Sequence, residues 1–578
     1  MPTLKTEDKT VLELFSDKKA NFLIPDYQRP YEWGEKECRT LWDDLFNFAF
    51  PDNDSDKFDS KNDEYFLGPI VTFANEHKQQ EIIDGQQRLT TLMLLLRAFY
   101  TRYSTMQDKS SIKAGELVGT CIWETDEITD TPNMNTCKLE TEVATDDTKQ
   151  EFREILRSGQ VNDDQQSRYA NNYRFFQDKI NDFLQKFDGY LAHFSTRILK
   201  NCIILDIEAS SSDSAMRIFS TLNDRGKPLS DSDIFKSQLY KHYNNSGRKD
   251  KFISRWKQLE ELCAKIYHPV IGTPMDEAFT KYMYYERAKQ GISSTTTEAL
   301  RKFYERDSYK LLRNDETFEN IIDLTNFWDD VLNQNYERFS ERVLKRLFVL
   351  NYAPNGMWEY IVSVYYLANR ENFDEEAFYD FLNKITAFIW AYALINPGVN
   401  ALRTPVYPEM INIVKHDKVE FKDYKFDTMR ISNAFNNFAF TNRRGITKSL
   451  LTWWAFNDDA QELLSLNQPF EIEHIYARNR YENEHSLTDP RNLESLGNKA
   501  LLEKGINIRA SDYRFIDKTK YYTGEGISRG QYKDGTRIKE LRDLAKTRTD
   551  FTEADIVQRN ARILHEFITY LKANDLIQ

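Results

Sequence analysis

The chain has 578 residues, of which 40% are hydrophobic and 14% aromatic, and its formal net charge at pH 7 is -13. This apolar content is enough for several large cores and excludes a mainly disordered protein. The apolar stretch of residues 92–96 is far too short to cross a bilayer, and the polar N-terminal sequence has no apolar signal core. Five scattered cysteines without a Cys-x-x-Cys pair argue against a disulfide framework and against structural zinc. We therefore expect a cytoplasmic, multi-domain enzyme with reduced thiols and no membrane partner.

The first predicted elements follow one another over residues 24–100. Residues 24–33, which include Tyr27, Gln28 and Arg29, precede an amphipathic helix through Leu41 and Leu45, and residues 66–73 are predicted to be a strand. Residues 81–84 form a short buried strand that leads through a glycine turn into a helix over residues 89–100. The aromatic side chains of residues 24–33 suit either a core edge or a base-stacking pocket, and the sequence does not separate these two roles.

The glycine turn has the sequence Asp84-Gly85-Gln86-Gln87-Arg88 and favours an anion. A helix start offers unpaired N–H groups and a positive dipole end, Gly85 lets the backbone approach a ligand, and Arg88 is a bidentate donor. Phosphate is the expected ligand. Asp84 could then hold Mg²⁺ or orient water, while Gln86 and Gln87 supply neutral donors and acceptors. The alternative is a simple turn in which Arg88 pairs with an acid at the helix start.

A third motif follows a predicted strand (residues 202–207) and helix (residues 214–222). It contains Asn223 and Arg225, and Ser230 with Asp233 forms a capping box for the next helix. In their order, the three motifs resemble the ParB-like N-terminal domain of the GmrSD family, also found in the phosphorothioate-sensing protein SspE, over about residues 10–240. The resemblance implies binding and hydrolysis of a nucleoside triphosphate, GTP or ATP, coupled to sensing of modified DNA. The nucleotide-binding residues would be Asp84, Gly85, Gln86, Gln87, Arg88, Tyr27, Gln28, Arg29, Asn223 and Arg225.

Residues 52–64 and 124–151 are acid-rich and poor in apolar periodicity, which predicts loops or insertions on the N-terminal domain. Residues 241–420 are predicted to be a helical connector. Apolar residues recur there at helical spacing and indicate core stripes rather than a cofactor site. These residues are Val343, Leu347, Leu350, Phe378, Phe381, Leu382, Ile385, Phe388, Ile389 and Tyr392.

The last quarter of the chain carries the strongest catalytic pattern. Glu473 and His474 lie in a predicted strand (residues 469–475), a second strand covers residues 496–502, and a helix carrying Asn507 follows. Two strands and a helix can bring Glu473 and Asn507 to one hard cation through oxygen ligands, which suits Mg²⁺ or Mn²⁺ better than zinc. His474 would then face the scissile phosphate, where a neutral imidazole can deprotonate water. A structural Glu-His pair is the alternative.

These residues, with Asn498 and the Leu501-Leu502 strand, resemble the H-N-H (His-Me finger) endonucleases, and more closely the C-terminal nuclease domain of the GmrSD family, over about residues 420–570. The resemblance implies that His474 is the general base, that Glu473 and Asn507 are metal ligands, and that Asn498 braces the loop that positions the histidine. The family usually has proline two residues after the isoleucine. This chain has Ala477, which makes the strand end less rigid.

Positive charge gathers beside this centre. Residues 498–548 contain 13 Lys and Arg against 7 Asp and Glu, a local net charge of +6. Arg509, Arg514, Lys518 and Lys520 are interleaved there with aromatic residues, which suits contacts with DNA phosphates. A solvated helix face is the alternative for any single lysine.

The sequence therefore predicts an α+β, mostly helical protein with three domains: a ParB-like α/β domain (residues 1–240), a helical connector (residues 241–420) and a ββα-metal (His-Me finger) nuclease domain (residues 421–578). The predicted function is a modification-dependent, type IV-like restriction endonuclease in anti-phage defence, with modified phage DNA as the expected partner. The alternatives are a nucleotide-regulated DNA sensor that does not cut, and a metal-dependent RNase or toxin. The oligomeric state, including a homo-oligomer, stays open.

Overall fold

The computed structural model describes residues 4–17, 20–126, 131–211, 214–215, 218, 230–296, 298–396, 402–511, 514–525, 527–528, 531–532 and 534–578. The chain is mostly helical with small sheets, which confirms the predicted α+β, mostly helical class. It divides into two compact units, Met1–Lys257 and Gln258–Gln578, which we call the front unit and the rear unit. The division into three domains at residues 240 and 420 stays a prediction. None of the helices in the described residues has the length and apolarity of a membrane span.

The front unit contains a six-stranded mixed sheet of order β1-β8-β3-β4-β2-β7. Its strands are β1 (Lys5–Thr10), β2 (Phe22–Ile24), β3 (Tyr65–Ala74), β4 (Gln80–Asp84), β7 (Leu139–Thr141) and β8 (Cys202–Ala209), and β5 (Trp123–Thr125) pairs separately with β6 (Pro132–Cys137). Its helices are Val11–Ser16, Glu35–Ala49, Gln86–Tyr103, Lys109–Ile122, Lys149–Ser158, Arg168–Lys186, Leu191–Asn201 and Asp231–Asn245, and the helix Lys249–Ile266 begins in this unit.

The helix Gln86–Tyr103 is the centre of the front core. Its apolar residues from Leu92 to Leu96 are fully buried, so this apolar run forms part of the core. The strand over residues 66–73 and the strand that ends at Asp84 are confirmed. All five cysteines are buried and free.

The prediction of loops over residues 124–151 is wrong. This segment contains β5, β6 and β7 and the start of the helix Lys149–Ser158. β7 adds to the sheet beside β2 in parallel, and Leu139 is only 1% exposed. Short strands need few apolar residues when their backbone pairs with a neighbour, so the acidic composition hid them.

The prediction of an irregular segment over residues 52–64 agrees with its turns and short 3-10 helices. The capping box is also confirmed, since Ser230 Oγ accepts from Asp233 N at 3.2 Å and Ser230 N donates to the Asp233 carboxylate at 2.9 Å. The helix predicted over residues 214–222 lies largely outside the described residues, and the motif with Asn223 and Arg225 lies wholly outside them.

The rear unit is a helical body that carries a small two-stranded sheet. Its helices are Pro274–Lys289, Leu300–Tyr309, Asp315–Leu332, Glu341–Leu350, Met357–Asn369, Glu375–Ile395, Arg403–Val414, Thr428–Asn437, Gly445–Ala455, Arg478–Glu484, Lys504–Ala510, Phe515–Thr523, Lys539–Thr547 and Glu553–Ala573. The predicted core stripes are buried, except that Tyr392 is half-buried. Two-residue strands β11 (Ile527–Ser528) and β12 (Gln531–Tyr532) pair with each other.

The two-stranded sheet consists of β9 (Phe470–His474) and β10 (Lys499–Glu503), which are antiparallel. His474 lies directly opposite Lys499, and Glu473 lies opposite Ala500. The helix Lys504–Ala510 follows β10 at once, so the predicted order of two strands and a helix is present, although the second strand begins three residues later than predicted. Residues 496–498 form a short 3-10 helix instead, and the C-terminal helix Glu553–Ala573 packs against it.

Candidate functional site

A cleft of about 660 Å³ in the rear unit collects three of the four predicted catalytic residues. Glu473, His474 and Asn507 all line it. Glu473 and His474 end β9, and Asn507 comes from the helix after β10, so the strand pairing explains how residues distant in sequence meet. Glu494 and Arg478 also line the cleft.

Glu473 is held by two buried donors. Its Oε1 accepts from Lys518 Nζ at 2.8 Å and from the Tyr522 hydroxyl at 2.5 Å. The side chains of Lys518 and Glu473 are only 1% and 4% exposed. Burial and the charge of Glu473 raise the pKa of Tyr522 well above its ordinary value, so the phenol remains a donor.

Lys518 therefore lines the inner wall of the cleft, almost wholly buried, and does not lie on the outer surface. Its ammonium also donates to the carbonyl oxygen of His474 at 2.5 Å, which ties it to both members of the Glu-His pair. The prediction that Lys518 contacts DNA phosphates is not compatible with this position, because a buried charge paired with a carboxylate is not available to a solvent-side anion.

The oxygen atoms that remain suit a hard divalent cation. Among the described residues, Glu473 Oε2 and the amide oxygen of Asn507 have no hydrogen-bond partner, and both side chains line the cleft. Asn507 Nδ2 donates to Glu471 at 2.9 Å, which fixes the amide plane. No three His, Cys, Asp or Glu side chains converge in the described part of the chain, so such an ion would need the Asn507 amide and water as further ligands. Mg²⁺ commonly binds through one or two carboxylates and several waters.

Two side chains contact the Nε2 atom of His474. This atom lies 2.9 Å from Lys499 Nζ and 3.4 Å from Glu494 Oε1. Lys499 is fully buried, and its ammonium also meets Asn442 Oδ1 at 2.6 Å and Glu494 Oε2 at 2.9 Å. An ammonium can only donate, so Nε2 accepts from Lys499 while that lysine is charged. Nδ1 is open to a proton from water only in the other tautomer, in which Nε2–H donates to Glu494 and Lys499 releases the ring.

The pKa values of the two charged neighbours of His474 are shifted from their ordinary values. Burial acts to raise the pKa of Glu494, but hydrogen bonds from His474 and Lys499 outweigh it and lower that pKa from 4.5 to about 2. Burial lowers the pKa of Lys499, and the charge of Glu494 opposes this. Glu494 is therefore ionised at neutral pH and is the acceptor that can orient the imidazole.

Asn498 does not line the cleft but braces the chain after His474. It is fully buried, its Oδ1 accepts from Tyr476 N at 2.7 Å, and its Nδ2 donates to the carbonyl oxygens of Tyr476 and Leu493 at 3.2 and 3.1 Å. Ala477 has φ −65°, the value that proline fixes, so the strand end keeps a proline-like geometry without the ring.

The other predicted DNA-contact residues lie nearer the surface. Lys520 is 59% exposed and lies 3.6 Å from Asp517, Arg514 pairs with Glu484, and Arg509 donates to the carbonyl oxygen of Asp534 at 3.2 Å.

The sequence reasoning missed Glu494, Lys499, Asn442, Arg443 and Arg478. Strand register could have found Lys499, because it lies opposite His474. Nothing in the sequence pattern pointed to Asn442 and Arg443, which reach the cleft from a separate loop.

In the front unit, Gly85 caps the helix Gln86–Tyr103 with φ 92°, as a turn glycine should. Burial raises the pKa of Asp84, while the Gly85 N–H and the charges of Arg88 and Arg29 oppose the shift. Burial likewise raises the pKa of Asp233, and Arg29 opposes it as well. Arg29 thus acts on two buried carboxyls, and the sequence reasoning had assigned Asp233 only to a helix cap.

The remaining polar residues of the front motifs divide into two groups. Gln87 holds residues 30–33, since its Oε1 accepts from Glu32 N at 2.6 Å and its Nε2 donates to the Pro30 carbonyl at 2.9 Å. Gln28 Nε2 donates to the Ile83 carbonyl at 3.3 Å, and the Tyr27 hydroxyl donates to Glu81 at 3.1 Å. These side chains build the turn.

The second group consists of Gln86 and Arg88, whose polar atoms lie at the Asp-Gly-Gln-Gln-Arg turn. Gln86 is 5% exposed, and its Oε1 has no hydrogen-bond partner among the described residues. Arg88 Nη1 donates to the Pro69 carbonyl at 2.9 Å, beneath Gly68.

Two family comparisons cover most of the chain. The GmrSD restriction endonuclease N-terminal domain matches residues 11–240, and the GmrSD restriction endonuclease C-terminal domain matches residues 426–566. No curated protein matches the chain. Both halves of one family are present in the predicted order, and the chain therefore belongs to the GmrSD restriction endonucleases.

Proposed function

We propose that this restriction endonuclease is of the modification-dependent, type IV-like kind, that its rear unit cuts DNA at the cleft around His474, and that its front unit binds and hydrolyses a nucleoside triphosphate. The observation that carries the proposal is the convergence of Glu473, His474 and Asn507 on one cleft. Modified phage DNA is the proposed target, and defence against phage is the proposed role.

In this mechanism His474 takes a proton from water in the tautomer whose Nε2–H donates to Glu494 in place of the contact with Lys499, and Glu494 stabilises the imidazolium that forms. Asn498 keeps the backbone after His474 in place. Glu473 and Asn507 would hold Mg²⁺ or Mn²⁺, which supplies positive charge to the phosphate oxygens when it is bound. Arg478 pairs with Glu494 at 2.8 Å but is 53% exposed at the cleft, and in this proposal its charge attracts the DNA backbone.

The direct test is cleavage of plasmid DNA and of glucosylated phage DNA with Mg²⁺ or Mn²⁺, with and without GTP or ATP. We expect His474→Ala to lower the cleavage rate at least 100-fold, within the usual range for loss of a general base. His485→Asn is the matched control, because His485 is an exposed histidine with φ 49°, a conformation that asparagine also tolerates. Equal cleavage by wild type and His474→Ala would refute the proposal. DNA binding without any cleavage would favour the non-cutting sensor, and cleavage of RNA alone would favour the RNase.

For the front unit, the supporting observation is that Arg88 and Arg29 both act on the half-buried Asp84 carboxyl at the start of a helix. A helix start with two guanidinium groups suits phosphate oxygens. Asp84→Asn should abolish phosphate release from GTP or ATP, whereas Glu76→Gln, an exposed change in the β3–β4 turn, should leave it unchanged. Equal phosphate release by both variants would exclude this site.

The biological part of the proposal is tested in cells. Cells that carry wild type or His474→Ala are challenged with phages that differ only in DNA modification. We expect protection by the wild type against the modified phage only. Equal protection by both proteins would remove the nuclease from the mechanism.

A further inference from the structure

A groove beside the catalytic cleft has the size of a small-ligand pocket. Its volume is about 850 Å³, and its lining comes from the C-terminal end of the helix Thr428–Asn437, from residues 489–495 and from the helix Glu553–Ala573. Glu494 lines both the groove and the cleft, and its Oε1 lies 3.4 Å from His474 Nε2. The groove therefore begins one side chain away from the proposed general base.

The lining combines amide groups with apolar surface. Four asparagines contribute to it: Asn436, Asn437, Asn492 and Asn560. Phe438 and Val557 are among its apolar members, and Val557 is 51% exposed although it is apolar. Each amide already makes a hydrogen bond within the chain, so Asn436, Asn437 and Asn492 offer a nucleobase edge single donors or acceptors rather than pairs, and apolar side chains can cover its faces. Pockets for small ligands typically have this volume and this mixture of side chains.

The walls of the groove are fixed without a ligand. The Glu553 carboxylate accepts from Thr488 N at 2.8 Å and from Asn492 Nδ2 at 2.8 Å. Gly497 N donates to Asn560 Oδ1 at 3.0 Å, and a Cβ at Gly497 would lie 2.2 Å from the Ile556 carbonyl oxygen. The helix thus packs directly on the backbone, and the groove is a preformed cavity.

We propose that this groove holds one unstacked nucleobase of the DNA strand that is bound in the cleft. The reason is that the groove and the catalytic cleft adjoin each other. Arg478 and Arg443 in the cleft can hold the phosphate, and the groove shares the Glu494 wall with that cleft. A base that leaves the stack beside the held phosphate would therefore enter the groove, where amide side chains read its edge. This inference rests on the proposed endonuclease function and names the part of the substrate that the rear unit recognises.

Photo-crosslinking tests the location of the base directly. The full chain with His474→Ala is incubated with a single-stranded DNA 12-mer that carries one 5-iododeoxycytidine, irradiated and digested, and the crosslinked peptides are identified by mass spectrometry. The groove variant adds Asn437→Ala and Ala561→Leu, which remove an amide and fill the cavity. The control variant adds Gln558→Leu, an exposed change on the same helix that does not line the groove.

We expect crosslinks to residues 435–439 or 557–568, with a yield at least fivefold lower in the groove variant and unchanged in the control. Crosslinks only to other peptides would overturn the inference, as would a yield that survives in the groove variant, or an absence of crosslinks when filter binding shows that the DNA is bound. If the groove variant melts at a lower temperature than the control, each of its two changes is tested separately. Failure of the nuclease proposal would appear separately, as equal cleavage by wild type and His474→Ala.

Discussion

Replacing Lys518 by methionine should strongly destabilise the region around the Glu-His pair. The ammonium of Lys518 is 1% exposed and donates to Glu473 at 2.8 Å, so its removal leaves a carboxylate that is 4% exposed with only the Tyr522 hydroxyl as a donor. Loss of one partner of a buried ion pair typically costs about 3–5 kcal/mol. Lys520→Met is the matched control, because Lys520 is 59% exposed and surface changes usually stay within about 0.5 kcal/mol.

Hydrogen exchange followed by mass spectrometry is the suitable assay, because the chain has two units and need not unfold in one step. The free energy of opening should fall by about 3–5 kcal/mol in peptides that cover β9 and the helix Phe515–Thr523. Adding Glu473→Gln to Lys518→Met should restore much of the loss, since the remaining amide carries no charge. A loss below about 1 kcal/mol in Lys518→Met would show that the ammonium is hydrated and refute the reasoning.

Three further predictions concern other parts of the molecule. Asn498→Ala should lower the free energy of opening of residues 475–477, measured by hydrogen exchange, by about 1–3 kcal/mol, because Tyr476 N loses its buried acceptor at 2.7 Å. The rate of DNA cleavage should fall at least tenfold. Asn483→Ala, an exposed change, is its control. Gly85→Ala should destabilise the front unit more than Gly189→Ala by about 1–3 kcal/mol in thermal unfolding. Both glycines have positive φ, but only at Gly85 would a Cβ meet another atom, Ile70 Cγ2 at 2.6 Å, so equal losses would contradict the clash.

The third of these predictions is a pH dependence. The folded-state pKa of Glu494 is lowered from 4.5 to about 2, so its contribution to the free energy of unfolding is present above pH 4.5 and is lost as the pH falls towards 2. The stability difference between wild type and Glu494→Gln, measured by urea unfolding, should therefore shrink as the pH falls from 4.5 towards 2. A difference that grows on acidification would contradict it.

The sequence predicted the elements that have strong periodicity or a defined turn. The helix after Asp84-Gly85, the strand with Glu473 and His474 and the capping box of Ser230 all follow from local chemistry. It failed where tertiary pairing outweighs composition, as in β7, whose acidic surroundings resembled a loop.

The sequence also failed where a charge changes its role on folding. The sequence predicted that Lys518 contacts DNA, and Lys499 belongs to the same basic run, but both are buried and bind acids of the same centre. Charge counts along a sequence cannot distinguish these lysines from Lys520, because burial is decided by strand register and helix packing.

The two buried lysines together explain how the Glu-His pair keeps its geometry without a ligand. Lys518 joins the Glu473 carboxylate to the His474 carbonyl, and Lys499 lies against the His474 ring and Glu494. Each is anchored in the interior, so the acid and the imidazole do not depend on DNA or a cation for their orientation, which is the arrangement that catalysis requires of a preorganised centre. The same contacts weaken the binding of a cation. Because Lys518 already occupies Glu473 Oε1, a cation gains only one oxygen of that carboxylate and must bind beside a positive charge, so metal affinity at this centre should be modest and should rise when Lys518 is made neutral.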